Sequence, residues 1–220
     1  SEMCIRDRCD RVHGGAGTPK ISSMTFTIRP MREDDYPQVA AIQQAGMDTG
    51  HATYEGETVS WEDFTAHRRP NLMFVADEDG EILGWVTGSW YSHRTVFSGV
   101  VEDSIYVSPR ATGRGVAGAL LDHLIDKSTE AGCWSIHSVV FPENEGSMKL
   151  HRSRGFQEIG TAHTMARMNY GPMKGRWRDI VSFEKVLEGG PAHPEYRERV
   201  IGAGDTEDAG DAGDAGTTAS

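Results

Sequence analysis

The sequence predicts an α/β fold of the α+β kind, a single domain with about four helices flanking a mixed, mostly antiparallel sheet of about seven strands. Three observations lead there. β-favouring runs come in consecutive sets joined by turn residues, as antiparallel ladders require. One strand, glycine-rich turn, helix and strand sit between those sets, which makes a single parallel crossover. Finally, 220 residues leave room for one such domain with a real core rather than two.

Residues 25–29 read as an opening strand, and residues 32–47 as a helix whose apolar positions include Tyr36, Val39, Ala40 and Ile42. Ser60, with Asp63 three residues on, starts a second helix as an imperfect capping box. Residues 72–76 and 82–90 flank Asp79-Gly80, a hairpin turn signal. Residues 100–107 form the next strand, ended by Pro109. After the glycines, Ala117, Leu120, Leu121, Leu124, Ile125 and Ser128 recur at helical spacing, so a helix spans 115–130. A strand over 134–141 stops at Pro142, Asn144 caps a short helix through Arg154, and residues 156–168 and 176–187 close the sheet. Met165, Met168 and Met173 read as gap-filling apolar residues.

The ends differ from the middle. Of the net charge of −11, residues 1–23 carry +1 (four basic, three acidic) and residues 188–220 carry −6 (two basic, eight acidic), leaving −6 on 24–187. That balance argues against a nucleic-acid partner, and no apolar run reaches the length of a membrane span. The first 23 residues lack periodicity and read as a disordered, non-native leader, with Met24 as the expected initiator. Cys4, Cys9 and His13 there make a weak metal set, so no metal is expected. The repeating Asp-Ala-Gly of the other end reads as a disordered acidic tail. Only Cys133 lies in the middle, so there is no disulfide framework and a cytoplasmic setting is expected.

The informative segment is residues 102–121, a strand headed by Glu102 that runs through a glycine turn into a helix. Glycines allow close backbone approach, and the unpaired N–H groups at the helix start attract an anion. Gly113-Arg-Gly115-Val-Ala-Gly118 matches a dinucleotide-binding fingerprint. However, some ninety residues of other structure come first, only one crossover unit follows, and the acid of Pro142-Glu143 comes a few residues later than a ribose-binding acid is expected.

In the alternative register, Thr-Gly-Arg-Gly-Val-Ala at residues 112–117 resembles the coenzyme A pyrophosphate loop of the GNAT acetyltransferases, Gln/Arg-x-x-Gly-x-Gly/Ala. Thr112 stands where the family has Gln or Arg, while Gly115 and Ala117 match. Further motifs occur in order: Gly50-His-Ala-Thr-Tyr-Glu55, Gly84-Trp85, Arg94-x-x-Phe97-x-Gly99-x-x-Glu102, Asn144-x-x-Ser147-x-x-Leu150-His151-x-x-x-Gly155-Phe156 and Gly175-x-Trp177-Arg178-Asp179. Together, over residues 26–187, they resemble the branch that acetylates phosphinothricin, methionine sulfoximine and related small amino acids.

The resemblance implies acetyl-CoA as co-substrate, a small amino-acid-like acceptor and a homodimer. An amine is protonated at neutral pH and needs a base before it can attack a thioester; the resemblance gives that role to Glu102. Asp103 competes with it, since strand neighbours point to opposite faces. An amide near Val107 is implied for the oxyanion, and His151, at the position of the family's Tyr acid, for the thiolate. Cofactor contacts are implied for Tyr106, Val107, Thr112, Gly113, Arg114, Gly115, Val116, Ala117 and Gly118, and for Asn144 and Ser147 on the next helix. Arg94 is a candidate for an acidic group of the acceptor, with Tyr54, Glu55 and Trp85 lining its pocket. The alternatives are a GNAT acting on a polyamine, aminoglycoside or protein amine, and a non-catalytic acyl-CoA sensor.

Overall fold

The computed structural model describes residues 25–190. The residues expected to form a leader, with their cysteines, the expected initiator Met24, and the part of the expected acidic tail beyond 190 lie outside the described residues. Seven strands form one sheet: β1 (Thr27–Pro30), β2 (Arg68–Glu78), β3 (Glu81–Trp90), β4 (Val100–Val107), β5 (Ser135–Val140), β6 (Gln157–Arg167) and β7 (Trp177–Val186), in the order β1-β2-β3-β4-β5-β7-β6. Every neighbouring pair is antiparallel except β4–β5. Four helices complete the domain: α1 (Tyr36–Met47), α2 (Trp61–Ala66), α3 (Val116–Glu130) and α4 (Glu145–Ser153).

Local chemistry sets the boundaries. Asp79 and Gly80 adopt φ of 53° and 89°, the double left-handed turn a two-residue hairpin needs. The helix expected from Arg32 begins instead as a short 3₁₀ turn, Glu33–Asp35, and becomes α-helical at Tyr36. Pro37 accounts for this, since it has no N–H to donate and favours the first turn. Ser60 caps α2 by accepting from the Asp63 N–H, but Asp63 bonds the Ser60 hydroxyl rather than closing the box on its amide. β2 starts four residues before the apolar run, and Pro70 falls within the register shift between Arg68 and Met73, where a missing donor is tolerated.

The two sheet faces bury separate cores. Leu72, Phe74, Val101, Ile136 and Val181 pack against Leu120, Leu121 and Leu124 of α3 and Met148 of α4. Opposite, Met73, Val75 and Trp85 pack against Val39 and Ile42 of α1 and Phe64 of α2. Gly84 is required by packing: a Cβ there would lie 2.8 Å from the Tyr106 carbonyl oxygen and 3.2 Å from Leu120. Met168 is buried and Met173 packs beside it, but Met165 is 58% exposed and fills no gap.

Candidate active site

The site forms where the sheet opens. β4 and β5 pair only at Val100↔Ser135, Val101↔Ile136 and Glu102↔His137, although β4 continues to Val107 and β5 to Val140. Beyond Glu102 the strands part, and a cavity of about 1070 Å³ occupies the gap. Its walls include β4 from Glu102 to Val107, β5 from Ser138 to Val140, the segment after α1 and the start of α4.

The parting leaves donors facing the gap. Ser108 N–H donates to the Leu83 carbonyl at 2.8 Å, which makes Val107↔Gly84 a non-hydrogen-bonded pair of the β3–β4 ladder. Residues of such pairs turn their amides away from the partner strand. The Val107 amide, and that of Ile105 two residues earlier, therefore point to the side that β5 has left.

The glycine turn supplies more. Gly113 and Gly115 have φ of 79° and 80°, and a Cβ at either would meet nothing within 4 Å. Conformation, not space, requires glycine there. Gly115 caps α3 without a side-chain hydrogen bond, and the Ala119 N–H makes the bond back to Gly115 at 3.1 Å. The amides of the first helical turn thus lack helical acceptors, and Thr112, Gly113, Gly115, Val116 and Ala117 border the cavity. We expect Gly115→Ala to cost about 1–3 kcal/mol through backbone strain alone, read as a lower urea midpoint at unchanged m-value.

Glu102 lies at the fork. Burial, and next the charge of Asp103, push its carboxyl above the ordinary range. Asp103 turns to the other face and bonds His151 Nε2 through Oδ2 at 3.1 Å, both side chains being 1% exposed. Its Oδ1 has no partner among the described residues. Burial works against charge on His151, but the Asp103 bond and charge and the Ser147 carbonyl outweigh it and hold the ring above its ordinary value. Ser138 Oγ lies 3.0 Å from the same Nε2. This is no nucleophile triad, in which Ser and Asp occupy opposite ring nitrogens.

Other expected residues fall differently. Tyr106 borders the cavity with its ring stacked on Trp85 at 4.7 Å, and burial followed by the Glu55 charge raises its phenol. Asn144 caps α4 by accepting from Ser147 N–H at 3.1 Å and donates to the His51 carbonyl at 3.2 Å; both Asn144 and Ser147 border the cavity. Tyr54 borders it too, with its ring edge-on to Phe141 and a buried hydroxyl lacking a partner among the described residues.

Five of the expected residues do not border the cavity. Trp85 is fully buried, donates to the Val39 carbonyl at 3.1 Å and supports Tyr106 from behind instead of meeting the cavity. Arg94 lies exposed on the β3–β4 connection, and Glu55 is also exposed; neither borders the cavity. Arg114 points away and pairs with Glu78 at 2.6 Å. Gly118 is buried beneath Arg154, whose Nη2 would lie 2.0 Å from an added Cβ.

Sequence reasoning also passed over a buried clamp. Arg178 of β7, 2% exposed, donates to the Gly50 carbonyl at 2.7 Å, to His51 Nδ1 at 3.0 Å and to Glu143 at 3.0 Å. A guanidinium only donates, so the neutral His51 ring carries its proton on Nε2. His51 and Glu143 both border the cavity. The Trp177-Arg178-Asp179 motif was the available signal, but only the fold brings Arg178 to Gly50.

The sequence profile of the acetyltransferase (GNAT) family matches residues 31–156. The chain belongs to the GNAT acetyltransferase family. Among relatives of this GNAT chain, phosphinothricin N-acetyltransferase of Alcaligenes faecalis is 32% identical over 178 residues, 78% of this chain and 87% of that protein. The L-methionine sulfoximine/L-methionine sulfone acetyltransferase of Pseudomonas paraeruginosa is 27% identical, covering 75% and 96%. Among solved structures, a GNAT superfamily phosphinothricin acetyltransferase from Sinorhizobium meliloti in complex with AcCoA superposes with a TM-score of 0.68 at 31% identity, covering 77% of this chain and 92% of that one.

Proposed function

We propose that this GNAT enzyme transfers the acetyl group of acetyl-CoA directly to the amine of a small amino acid or analogue of the phosphinothricin or methionine sulfoximine/sulfone type. The observation that carries the reading is the half-buried Glu102 at the fork of β4 and β5, in one cavity with the glycine turn. The relatives' names support the acceptor class. The turn suits a pyrophosphate: its two left-handed glycines leave open space, and the amides of the first turn of α3 lack helical acceptors. Asn144 and Ser147 would meet the pantetheine arm.

Glu102, its carboxyl raised above the ordinary range by burial and by the Asp103 charge, takes a proton from the acceptor ammonium directly or through water. The Val107 amide, turned into the gap, stabilises negative charge developing on the carbonyl oxygen. The proton for the departing sulfur comes from His151 by way of Ser138: the Ser138 hydroxyl gives its proton to the thiolate and takes the Nε2 proton of His151. Tyr54 and His51 wall the acceptor side. The chain acts as a homodimer in the cytoplasm, where the buried Cys133 thiol stays reduced.

One observation favours a second acceptor class. Arg94 does not reach the cavity, whereas Glu102, Asp103, Glu143 and Glu145 border it, an arrangement that suits a cationic polyamine or aminoglycoside. Free-thiol release with acetyl-CoA and a panel of phosphinothricin, methionine sulfoximine, methionine sulfone, spermidine and a lysine peptide tests both. We expect the amino-acid analogues to give the highest kcat/KM. Preference for spermidine would select the second reading, and acetyl-CoA binding without thiol release for any acceptor would indicate a sensor.

A further inference from the structure

Asp103 is the second carboxylate of the site. The Nδ1 of His151 lies 2.8 Å from the Ser147 carbonyl oxygen, which only accepts, so Nδ1 carries a proton. Its Nε2 lies 3.1 Å from Asp103 Oδ2. A bare Nε2 there would set a lone pair against a carboxylate oxygen, so this nitrogen is protonated too. Phe156, edge-on at 5.0 Å, and Phe183, stacked at 5.8 Å, wall the ring with apolar surface. With both side chains 1% exposed, water does little to screen the pair.

We propose that Asp103 is a positioning residue for acetyl transfer: it fixes His151 as an imidazolium behind Ser138 and, from the next position along β4, sets a second negative charge against Glu102. One carboxylate thus biases the base on one sheet face and the acid on the other, an inference that rests on the assignment of Glu102 as the base. The groups facing Glu102 from neighbouring strands are Ser89 on β3 and His137 on β5, the latter ring beside Tyr91 at 4.8 Å. Those facing His151 are Asp103, Ser138 and Ser147, between the two phenylalanines.

The consequence has a definite sign. Removing the Asp103 charge relieves Glu102, so the acid limb of kcat/KM moves to lower pH. Removing the same carboxylate from His151 makes its proton easier to lose, so the alkaline limb also moves to lower pH. We expect Asp103→Asn in the full chain, assayed with acetyl-CoA and the preferred acceptor of the thiol-release panel, to shift both limbs downward. A residue needed only for folding would lower the rate at every pH and leave both limbs in place.

A second measurement starts from the wild type. Nitrogen-15 NMR of histidine-labelled wild type, with the His151 signals identified by their loss in His151→Gln, should show both ring nitrogens protonated at pH 7. In Asp103→Asn the Nε2 signal should become that of a bare nitrogen. A bare Nε2 in the wild type, or unmoved limbs in a folded Asp103→Asn, would overturn the proposal. The base assignment fails separately: a Glu102→Gln variant that keeps its acid limb rejects Glu102 as the base without altering the His151 spectrum.

Discussion

Replacing Glu102 with Gln lowers turnover by about 10²-fold or more, the usual contribution of a positioned general base, and leaves the fold intact. The amide keeps the shape of the side chain at the fork of β4 and β5 and removes only its ability to take a proton. The stability change should run the opposite way to the rate. Burial and the Asp103 charge raise the folded-state pKa of Glu102, so its ionised form is the less favourable one in the folded protein. Substitution should therefore raise the unfolding midpoint at neutral pH. That gain is present above the folded pKa and disappears as pH falls through it, where wild-type Glu102 is itself neutral. Stopped-time thiol assays and denaturation at two pH values measure both effects. A Gln variant within a few-fold of wild-type turnover would exclude Glu102 as the base.

Trp85→Ala should be the most damaging single truncation for stability, at about 3–5 kcal/mol. The indole is fully buried, stacks on Tyr106 at 4.7 Å, meets Phe64 edge-on at 5.5 Å and donates to the Val39 carbonyl at 3.1 Å. Truncation leaves a cavity and removes the indole's bond to the Val39 carbonyl, which keeps only its helical partner. It also removes the support behind Tyr106, a wall of the active-site cavity, so KM for acetyl-CoA should rise in whatever fraction stays folded. Urea denaturation checks the first effect by a lower midpoint at constant m-value. A loss below about 1 kcal/mol, the range of tolerated core swaps, would mean that the site collapses around the gap. Trp85→Phe, which keeps the ring but not the donor, should cost about 1 kcal/mol.

What the sequence made legible follows from how local each cause is. Strand β4 could be placed at Val100–Val107 because β-favouring residues run up to Pro109, and Asp79-Gly80 marked the β2–β3 hairpin because few residues tolerate two positive φ values. The parallel β4–β5 pair followed from the lone helix between two strands. The cavity was partly legible too: Glu102, the glycines and Asn144 lie in short ordered motifs, and the structure brings them to one cleft. What was not legible is facing. An alternating pattern tells that Trp85 and its neighbours lie on opposite faces but not which face a ligand reaches, and Trp85 belongs to the core beneath Tyr106. Arg94 sits in a connection whose path depends on tertiary packing. Arg178 meets Gly50 across 128 residues of sequence, and no local period encodes that meeting. Asp103 and Glu102 were treated as rivals because one strand cannot aim both at one face. The gap between β4 and β5 runs through the sheet, so each reaches it from its own side.

That opened seam also has a mechanical meaning. Strands β1 to β4 and strands β5 to β7 are two half-sheets stitched by three residue pairs, the last at Glu102↔His137. Any occupant that accepts from the stranded Ile105 and Val107 amides acts as a strut between the halves. Its binding energy then enters the cooperativity of the whole domain by mass action. Occupancy by acetyl-CoA should slow hydrogen exchange in β5 and β7 as well as in the turn it touches, so the co-substrate would set how strongly one half of the molecule is coupled to the other.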